Sequence, residues 1–97
     1  MSRSLIERRL LEVNARLRKA REELAVVDEQ LAVLADAADD ARLRALVSET
    51  PVADREHLEA RKHADAMARS RAAVLASIGE LEKAQDSLLD QLVPEHQ

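Results

Sequence analysis

The stretch LLEVNARLRKAREELAVVDEQL, Leu10 to Leu31, repeats apolar residues in alternating steps of three and four. Lettered as a heptad, its a positions are Leu10, Leu17, Leu24 and Leu31. The d positions around them carry small or aliphatic side chains, namely Ile6, Val13, Ala20, Val27 and Leu34. A 3.5-residue repeat held over more than four heptads is typical of a helix that packs against another helix along one seam. The unbroken phase through the following alanines predicts that this helix spans residues 4–47.

The segment SETPVAD, residues 48–54, interrupts the pattern. Thr50 suits the position that caps a helix, and Pro51 suits the first helical position, whose N–H needs no partner. The residue before a proline is also pushed out of the helical region. These signals predict a turn at 48–50, a second helix over 51–92 and a short tail at 93–97.

The second helix repeats the seam. Its a′ and d′ positions are Ala60, Ala64, Met67, Arg71, Val74, Ile78, Leu81, Gln85, Leu88 and Leu92. Arg71 and Gln85 are its polar members, both at a′ positions. We expect the methylenes of Arg71 to lie along Val27 while its charge faces solvent.

Two heptad helices joined by so few residues pack as antiparallel neighbours. The predicted fold class is therefore all-α, an antiparallel two-helix coiled-coil hairpin forming a single domain over 1–97. Folding about Glu49 places Leu10 opposite Leu88. The basic start of the first helix then lies beside the acidic end of the second, which predicts ion pairs such as Arg16 with Glu82.

Composition excludes several classes of function. The chain has no cysteine, which excludes disulfides, zinc fingers and thiol catalysis. It has no Phe, Tyr or Trp to stack on a base, and its net charge is −4, so no direct nucleic-acid binding is expected. His57 and His63 are six residues apart, a spacing that does not suit a helical metal pair. We predict no enzyme activity, no cofactor, no metal and no membrane span, and a cytoplasmic location.

A band of apolar residues beside the seam predicts self-association. Its main residues are Val26 and Val33 in the first helix and Ala72 and Leu75 in the second. We expect these two stretches to face each other, which makes the middle of the hairpin apolar over a wider arc than two helices need. A partner should cover the band, and the simplest is a second copy in a four-helix bundle.

The residues around the turn form a second candidate surface. Leu46, Val47 and Val52 gather apolar side chains near the apex, and Glu49 adds charge beside them. Apolar side chains rimmed by charge are typical of a docking surface. The same side chains are also suited to closing the end of the core, and the sequence leaves both interpretations open.

The motif DAADDA, Asp36 to Ala41, resembles the D-x-x-D-x-A signature at the coiled-coil tip of the DksA family. That resemblance implies a hairpin that enters the secondary channel of RNA polymerase and brings tip acids near the catalytic magnesium. Asp36 and Asp39 would then be tip residues. The Arg-rich, Ala-rich composition also resembles that of small coiled-coil hairpin proteins from high-GC actinobacteria, which implies no activity.

Two functions follow from these patterns. The first is a non-enzymatic coiled-coil adaptor that binds a second copy of itself and presents its tip to a larger protein assembly. The alternative is a transcription regulator that binds RNA polymerase through the secondary channel with an acidic hairpin tip. The two hypotheses differ in which surface of the hairpin matters.

Overall fold

The structure, a computed structural model, describes residues 2–93 and contains two long helices. Helix α1 spans Arg3–Ser48 and helix α2 spans Pro51–Leu92, where the sequence predicts 4–47 and 51–92. Residues 2–93 contain no strand. The predicted all-α class is confirmed. Of the predicted tail at 93–97, Val93 follows α2 directly, and 94–97 lie outside the described residues.

Both helices begin at a hydroxyl cap. The Ser2 hydroxyl oxygen accepts a hydrogen bond from the Leu5 N–H at 3.2 Å, and Thr50 Oγ1 accepts one from the Ala53 N–H at 3.2 Å. Each bond satisfies a backbone donor that has no partner within its own helix. The capping role predicted for Thr50 is confirmed by this bond.

The connection between the helices needs a left-handed residue. Glu49 has φ of 53°, in the region that favours glycine, and its N–H donates to the Ala45 carbonyl at 3.1 Å. This is the single-bond closure by which a helix often ends. Because Thr50 then starts α2 at once, two residues suffice to join the helices.

The chain divides into two compact units, and α1 and α2 each contribute to both. The terminal unit combines the residues up to Leu24 with those from Val74 onward, and the turn unit holds Ala25–Ala73. In the terminal unit Leu10 packs with Leu88 and Leu17 packs with Val74 and Ile78, so residue numbers rise along α1 as those of their α2 contacts fall. In the turn unit Asp28 pairs with Arg71, and the connection at residues 49–50 leads directly into α2. The two helices therefore pack antiparallel in both units, as predicted.

The core follows the heptad seam. The buried hydrophobic side chains of the described residues all occupy a or d positions: Ile6, Leu10, Leu17, Val27, Ala41, Ala45, Ala53, Val74, Ile78 and Leu88. Leu10 packs with Leu88, which is the predicted register. The most deeply buried side chain is Leu17, 1% exposed, which packs with Val74 and Ile78 in the terminal unit.

The turn unit has a thinner core. Toward the turn its buried seam positions are alanines, Ala41 and Ala45 in α1 and Ala53 in α2. Small seam residues allow two helices to approach closely but bury little apolar area. Many apolar side chains of this unit lie beside the seam and are exposed, among them Val26 and Val33.

Candidate functional site

Each unit has two flanks, which are the surfaces on either side of the seam. In an antiparallel pair, e positions of α1 lie beside e′ positions of α2 on one flank, and g positions lie beside g′ positions on the other. In the terminal unit, Arg21 and Glu82 are both at e positions and form an ion pair of 3.2 Å. The predicted pairing of Glu82 with Arg16 is wrong because Arg16 is at a g position. The Arg21–Glu82 ion pair therefore shows that e and e′ residues of the two helices lie on the same flank.

Two polar residues of the α2 seam also reach the e flank. In the terminal unit, Gln85 Nε2 donates to Asn14 Oδ1 at 2.7 Å. In the turn unit, Arg71 Nε donates to Asp28 Oδ1. The Arg71 side chain is 39% exposed, and its guanidinium also has a carboxylate partner on α1, a contact that the heptad pattern did not predict. The e flank is consequently polar at regular intervals.

The g flank of the turn unit is different. It contains an open recess lined by Glu29, Gln30, Val33, Leu34 and Met67. Leu34 and Met67 are half-buried seam residues at its floor, and Val33 stands at its edge, 68% exposed.

We call this surface the recessed face of the turn unit. It comprises the recess residues other than Glu29, with their uncharged neighbours at c, d and g positions of both helices: Val26, Gln30, Val33, Leu34, Ala37, Ala66, Met67, Ser70 and Ala73. These residues are uncharged, and Glu29, which also lines the recess, is a charged side chain at the border of the face. The Ser70 hydroxyl donates to the Ala66 carbonyl at 3.3 Å, so the serine satisfies its donor within its own helix. The recessed face is therefore predominantly apolar.

A second recess continues the same flank toward the turn. Among its lining residues are Ala37, Ala41, Val52, Ala60 and His63. The alanines form a low floor, and charged side chains of both helices stand around it. The flank is thus apolar at its centre and mixed in character near the turn.

The residues predicted for self-association lie on different flanks. Val26 and Val33 belong to the recessed face, and Val26 is 53% exposed. Ala72 is at a b′ position, beside the e flank of the turn unit. Leu75 belongs to the terminal unit, at an e′ position equivalent to that of Glu82. The two stretches were expected to face each other, but the residues of α1 lie on the g flank and those of α2 lie on or beside the e flank. Only Val26 and Val33 belong to the recessed face.

The predicted tip residues also separate into two groups. Leu46, Val47 and Val52 lie next to the turn and are exposed, Val47 to 85%. Glu49 is in the connection itself.

Asp36 and Asp39 are exposed but lie twelve and nine residues before α1 ends at Ser48. At 1.5 Å per residue, these carboxylates are about 18 Å and 14 Å along the helix from its end. The acids of the DAADDA motif are therefore on the side of α1.

Among residues 2–93, no three acidic, histidine or cysteine side chains come together in a way that could hold a metal ion. His57 is half-buried at a seam position, and His63 is exposed at the edge of the second recess. Neither of the two helices has a stretch that is both long and apolar enough to cross a membrane.

Sequence reasoning missed Gln30, Leu34 and Met67 as surface residues. Leu34 and Met67 were assigned to the seam, where they lie, but antiparallel pairing leaves them half exposed on the g flank. The signal was present in the heptad lettering. Sorting the residues of both helices into e and g flanks identifies the same surface.

Comparisons of the chain with protein-family models, curated proteins and solved structures find no match. Function has therefore to be inferred from the residues of this chain.

Proposed function

We propose that this protein is a non-enzymatic interaction module that binds a second copy of itself through the recessed face of the turn unit. The observation that carries the proposal is the exposure of Val26 and Val33 beside a recess whose floor is Leu34 and Met67. A contiguous apolar surface of this kind on a small helical protein is typical of a protein–protein interface.

The shape of the surface supports a helical partner. Helices pack by inserting ridges of side chains into grooves, and the recess between α1 and α2 is such a groove. The small residues Ala66, Ser70 and Ala73 allow a close approach on the α2 side. A second hairpin presents the same combination of ridge and groove, so the surface is complementary to itself, as a two-fold dimer requires.

Light scattering on the purified chain at micromolar concentration tests the proposal. We expect about twice the chain mass of 10.8 kDa for the wild type. The variant Val26→Glu/Val33→Glu places charges in the buried interface and should have the mass of one chain, with an unchanged circular-dichroism spectrum.

A matched control separates the recessed face from exposed apolar residues in general. Leu11 and Leu46 are exposed to a similar degree, 70% and 64%, and lie at b positions away from the g flank. Leu11→Glu/Leu46→Glu introduces the same two charges and should leave the dimer mass unchanged. A monomeric wild type, or equal dissociation by both double variants, would contradict the proposal.

An adaptor also needs a surface for a larger assembly. In this proposal, that surface is the turn end of the hairpin, where Leu46, Val47 and Val52 are exposed beside Glu49. Retrieval of a partner by wild-type protein but not by Leu46→Gln/Val52→Gln would support this role. Retrieval by both would assign the contact to another surface.

The alternative, a regulator acting in the secondary channel of RNA polymerase, needs acids at the apex. Glu49 meets that requirement, whereas Asp36 and Asp39 lie on the side of α1. The placement therefore favours the interaction module.

The alternative is tested by adding the protein to purified bacterial RNA polymerase and measuring co-elution and transcription. Asp36→Asn/Asp39→Asn/Glu49→Gln preserves side-chain shape and removes charge. A transcriptional effect lost in this variant with binding retained would support the alternative. No binding by the wild type at saturating concentration would remove it.

A further inference from the structure

The outer edges of the turn unit carry charges of opposite sign. The edge of α1 holds exposed acidic residues at f and c positions: Glu29, Asp36 and Asp40. The edge of α2 holds exposed basic residues at f′ positions, Arg55, Lys62 and Arg69, with one exposed acid, Glu59, at a c′ position among them. We call these the acidic edge and the basic edge.

The two edges lie on opposite sides of the turn unit. An f position lies opposite the a and d seam on its own helix, so the f and f′ residues of the two helices extend in opposite directions. Lys62 has a partner on its own helix, Glu59 at 3.8 Å, but both side chains are largely exposed. The acidic and basic edges therefore cannot neutralise each other within one chain.

Two hairpins that pack recessed face to recessed face have two symmetric arrangements. If the two-fold axis runs parallel to the helices, α1 lies over α2 of the second copy and the two turns are at the same end. If the axis is perpendicular to the helices, α1 lies over α1 of the second copy and the two turns are at opposite ends. Apolar packing alone does not distinguish these arrangements.

The charged edges do distinguish them. With the turns at the same end, the acidic edge of each copy meets the basic edge of the other. With the turns at opposite ends, acid meets acid and base meets base. We propose that a second copy occupies the recessed face with both turns at the same end, because only this arrangement makes the edges attractive. This inference rests on the proposed self-association.

The register within one chain determines which charges meet. The contact of Asp28 with Arg71 shows that residues at one level of the turn unit have numbers adding to about 99. A two-fold axis parallel to the helices does not change the level of a residue along them. In the same-end dimer, a residue of α1 is therefore level with the same α2 residues in the second copy as in its own chain. Glu29 is then level with Arg69, and Asp36 with Lys62, of the second copy. The acidic and basic residues therefore match without any shift along the helices.

Residues near the turn support the same arrangement. Val52 lines the second recess, and Val47 is at a c position like Val26 and Val33. When the turns are at the same end, these valines of one copy lie over those of the other and are covered. In the opposite-end dimer, centred on the recessed face, the valines of the two copies lie far apart and do not cover each other.

Charge reversal tests the arrangement through the dissociation constant of the dimer, measured by sedimentation at low salt. Glu29→Lys/Asp36→Lys places basic residues on both edges at the level of Lys62 and Arg69, and Lys62→Glu/Arg69→Glu places acidic residues on both edges at that level. In the same-end dimer, each double variant replaces attraction by repulsion and should weaken association roughly tenfold or more. The quadruple variant restores opposite signs and should recover wild-type affinity.

The opposite-end dimer gives a different pattern. In that dimer Glu29→Lys/Asp36→Lys replaces a contact between two acidic edges by one between two basic edges, and Lys62→Glu/Arg69→Glu does the reverse. Both double variants should therefore have the dissociation constant of the wild type. Circular dichroism of every variant checks that helicity is retained. The differences should shrink as salt is raised, because exposed charges are screened.

A distance measurement provides the second test. The chain has no cysteine, so Ser48→Cys carries a single spin label next to the turn. The same-end dimer places the two labels within about 25 Å of each other, since packed helices are about 10 Å apart and each label adds its own length. The opposite-end dimer separates them by about 45 Å, since Ser48 lies fifteen residues from Val33, at the centre of the recessed face.

The outcomes separate the two proposals. A dimer with short label distances and affinity recovered in the quadruple variant supports the inference. A dimer with labels about 45 Å apart, or with unchanged affinity in the double variants, overturns the same-end arrangement and leaves self-association standing. A monomeric wild type overturns both.

Discussion

At the scale of single residues, stability depends on a few seam positions and one strained turn residue. Leu17 is the most deeply buried side chain of the described residues at 1% exposed, followed by Ala41 at 3% and Ile6 at 4%, while many other seam positions are only half-buried. A thin core of this kind makes each fully buried side chain a large share of the total stability. Glu49, with φ of 53°, lowers that stability because a residue with a Cβ is strained in the left-handed region.

Leu17→Ala should lower the free energy of unfolding by about 2–5 kcal/mol, because it leaves a cavity against Val74 and Ile78. Thermal unfolding followed by circular dichroism at fixed protein concentration measures the loss. The matched control is Leu11→Ala, since Leu11 is exposed at a b position. It should change stability by less than about 0.5 kcal/mol. Equal losses in both variants would mean that Leu17 does not anchor the core.

Glu49→Gly should raise the free energy of unfolding by about 0.5–1 kcal/mol, since glycine adopts a positive φ without strain. Urea unfolding of the two proteins measures the difference. Glu49→Ala removes the same charge but keeps the Cβ, so it should gain little. A gain in the alanine variant as large as that in the glycine variant would assign the effect to charge.

At the scale of elements, the helices depend on packing more than on intrinsic propensity. An isolated helix in water is marginal even with good helix formers, and most helical stability in proteins comes from packing an apolar face. Helix α2 also contains Gly79 in its interior. A Cβ built on Gly79 meets no heavy atom within 4 Å, so no neighbour requires glycine there.

Gly79→Ala should stabilise the protein by up to about 1 kcal/mol, because alanine loses less backbone entropy in a helix and meets no steric contact. The reverse change at an exposed α2 position, Ala76→Gly, should destabilise it by a similar amount. Both are measured by thermal unfolding. A loss of stability in Gly79→Ala would show that the glycine has a packing role absent from this structure.

At the scale of the whole molecule, the two units carry chemically different g flanks. In the terminal unit this flank has a recess lined by Arg9, Arg16 and Gln91, whereas the recess in the recessed face of the turn unit has Glu29 as its one charged lining residue among the residues described. The a and d positions that determine the fold continue through both helices. The difference in charge between the two g flanks arises mainly at c and g positions beside them. An interface through the turn unit can therefore change by mutation without loss of the hairpin.

The turn end and the recessed face should act independently in this fold. Leu46→Gln/Leu58→Gln makes two exposed b-type positions near the turn polar while keeping good helix formers. We expect helicity and dimer mass to equal those of the wild type, because neither residue belongs to the recessed face. Light scattering and circular dichroism measure both quantities. A monomeric product would extend the self-association surface to the e flank beside the turn.

Periodicity predicted much of the fold because it records a local property. Each a and d residue of LLEVNARLRKAREELAVVDEQL is buried or half-buried, since a helix of 3.6 residues per turn brings all of them to one side whatever its partner is. The position of the turn could also be predicted from the sequence, because Thr50 and Pro51 act through their own backbone and side-chain chemistry.

The sequence by itself determined two helices, their seam and their antiparallel pairing. Which flank is open, with Leu34 and Met67 half exposed on it, was decided only by the tertiary structure. Val33 and Ala72 look equivalent as apolar positions beside a seam, but antiparallel pairing joins Val33 to Met67 on the g flank and leaves Ala72 with the e flank. The partner of Glu82 was decided in the same way, as Arg21 instead of Arg16. The physical reason is that heptad spacing specifies distance from the seam on one helix, whereas a surface is formed by two helices and depends on how one is turned against the other.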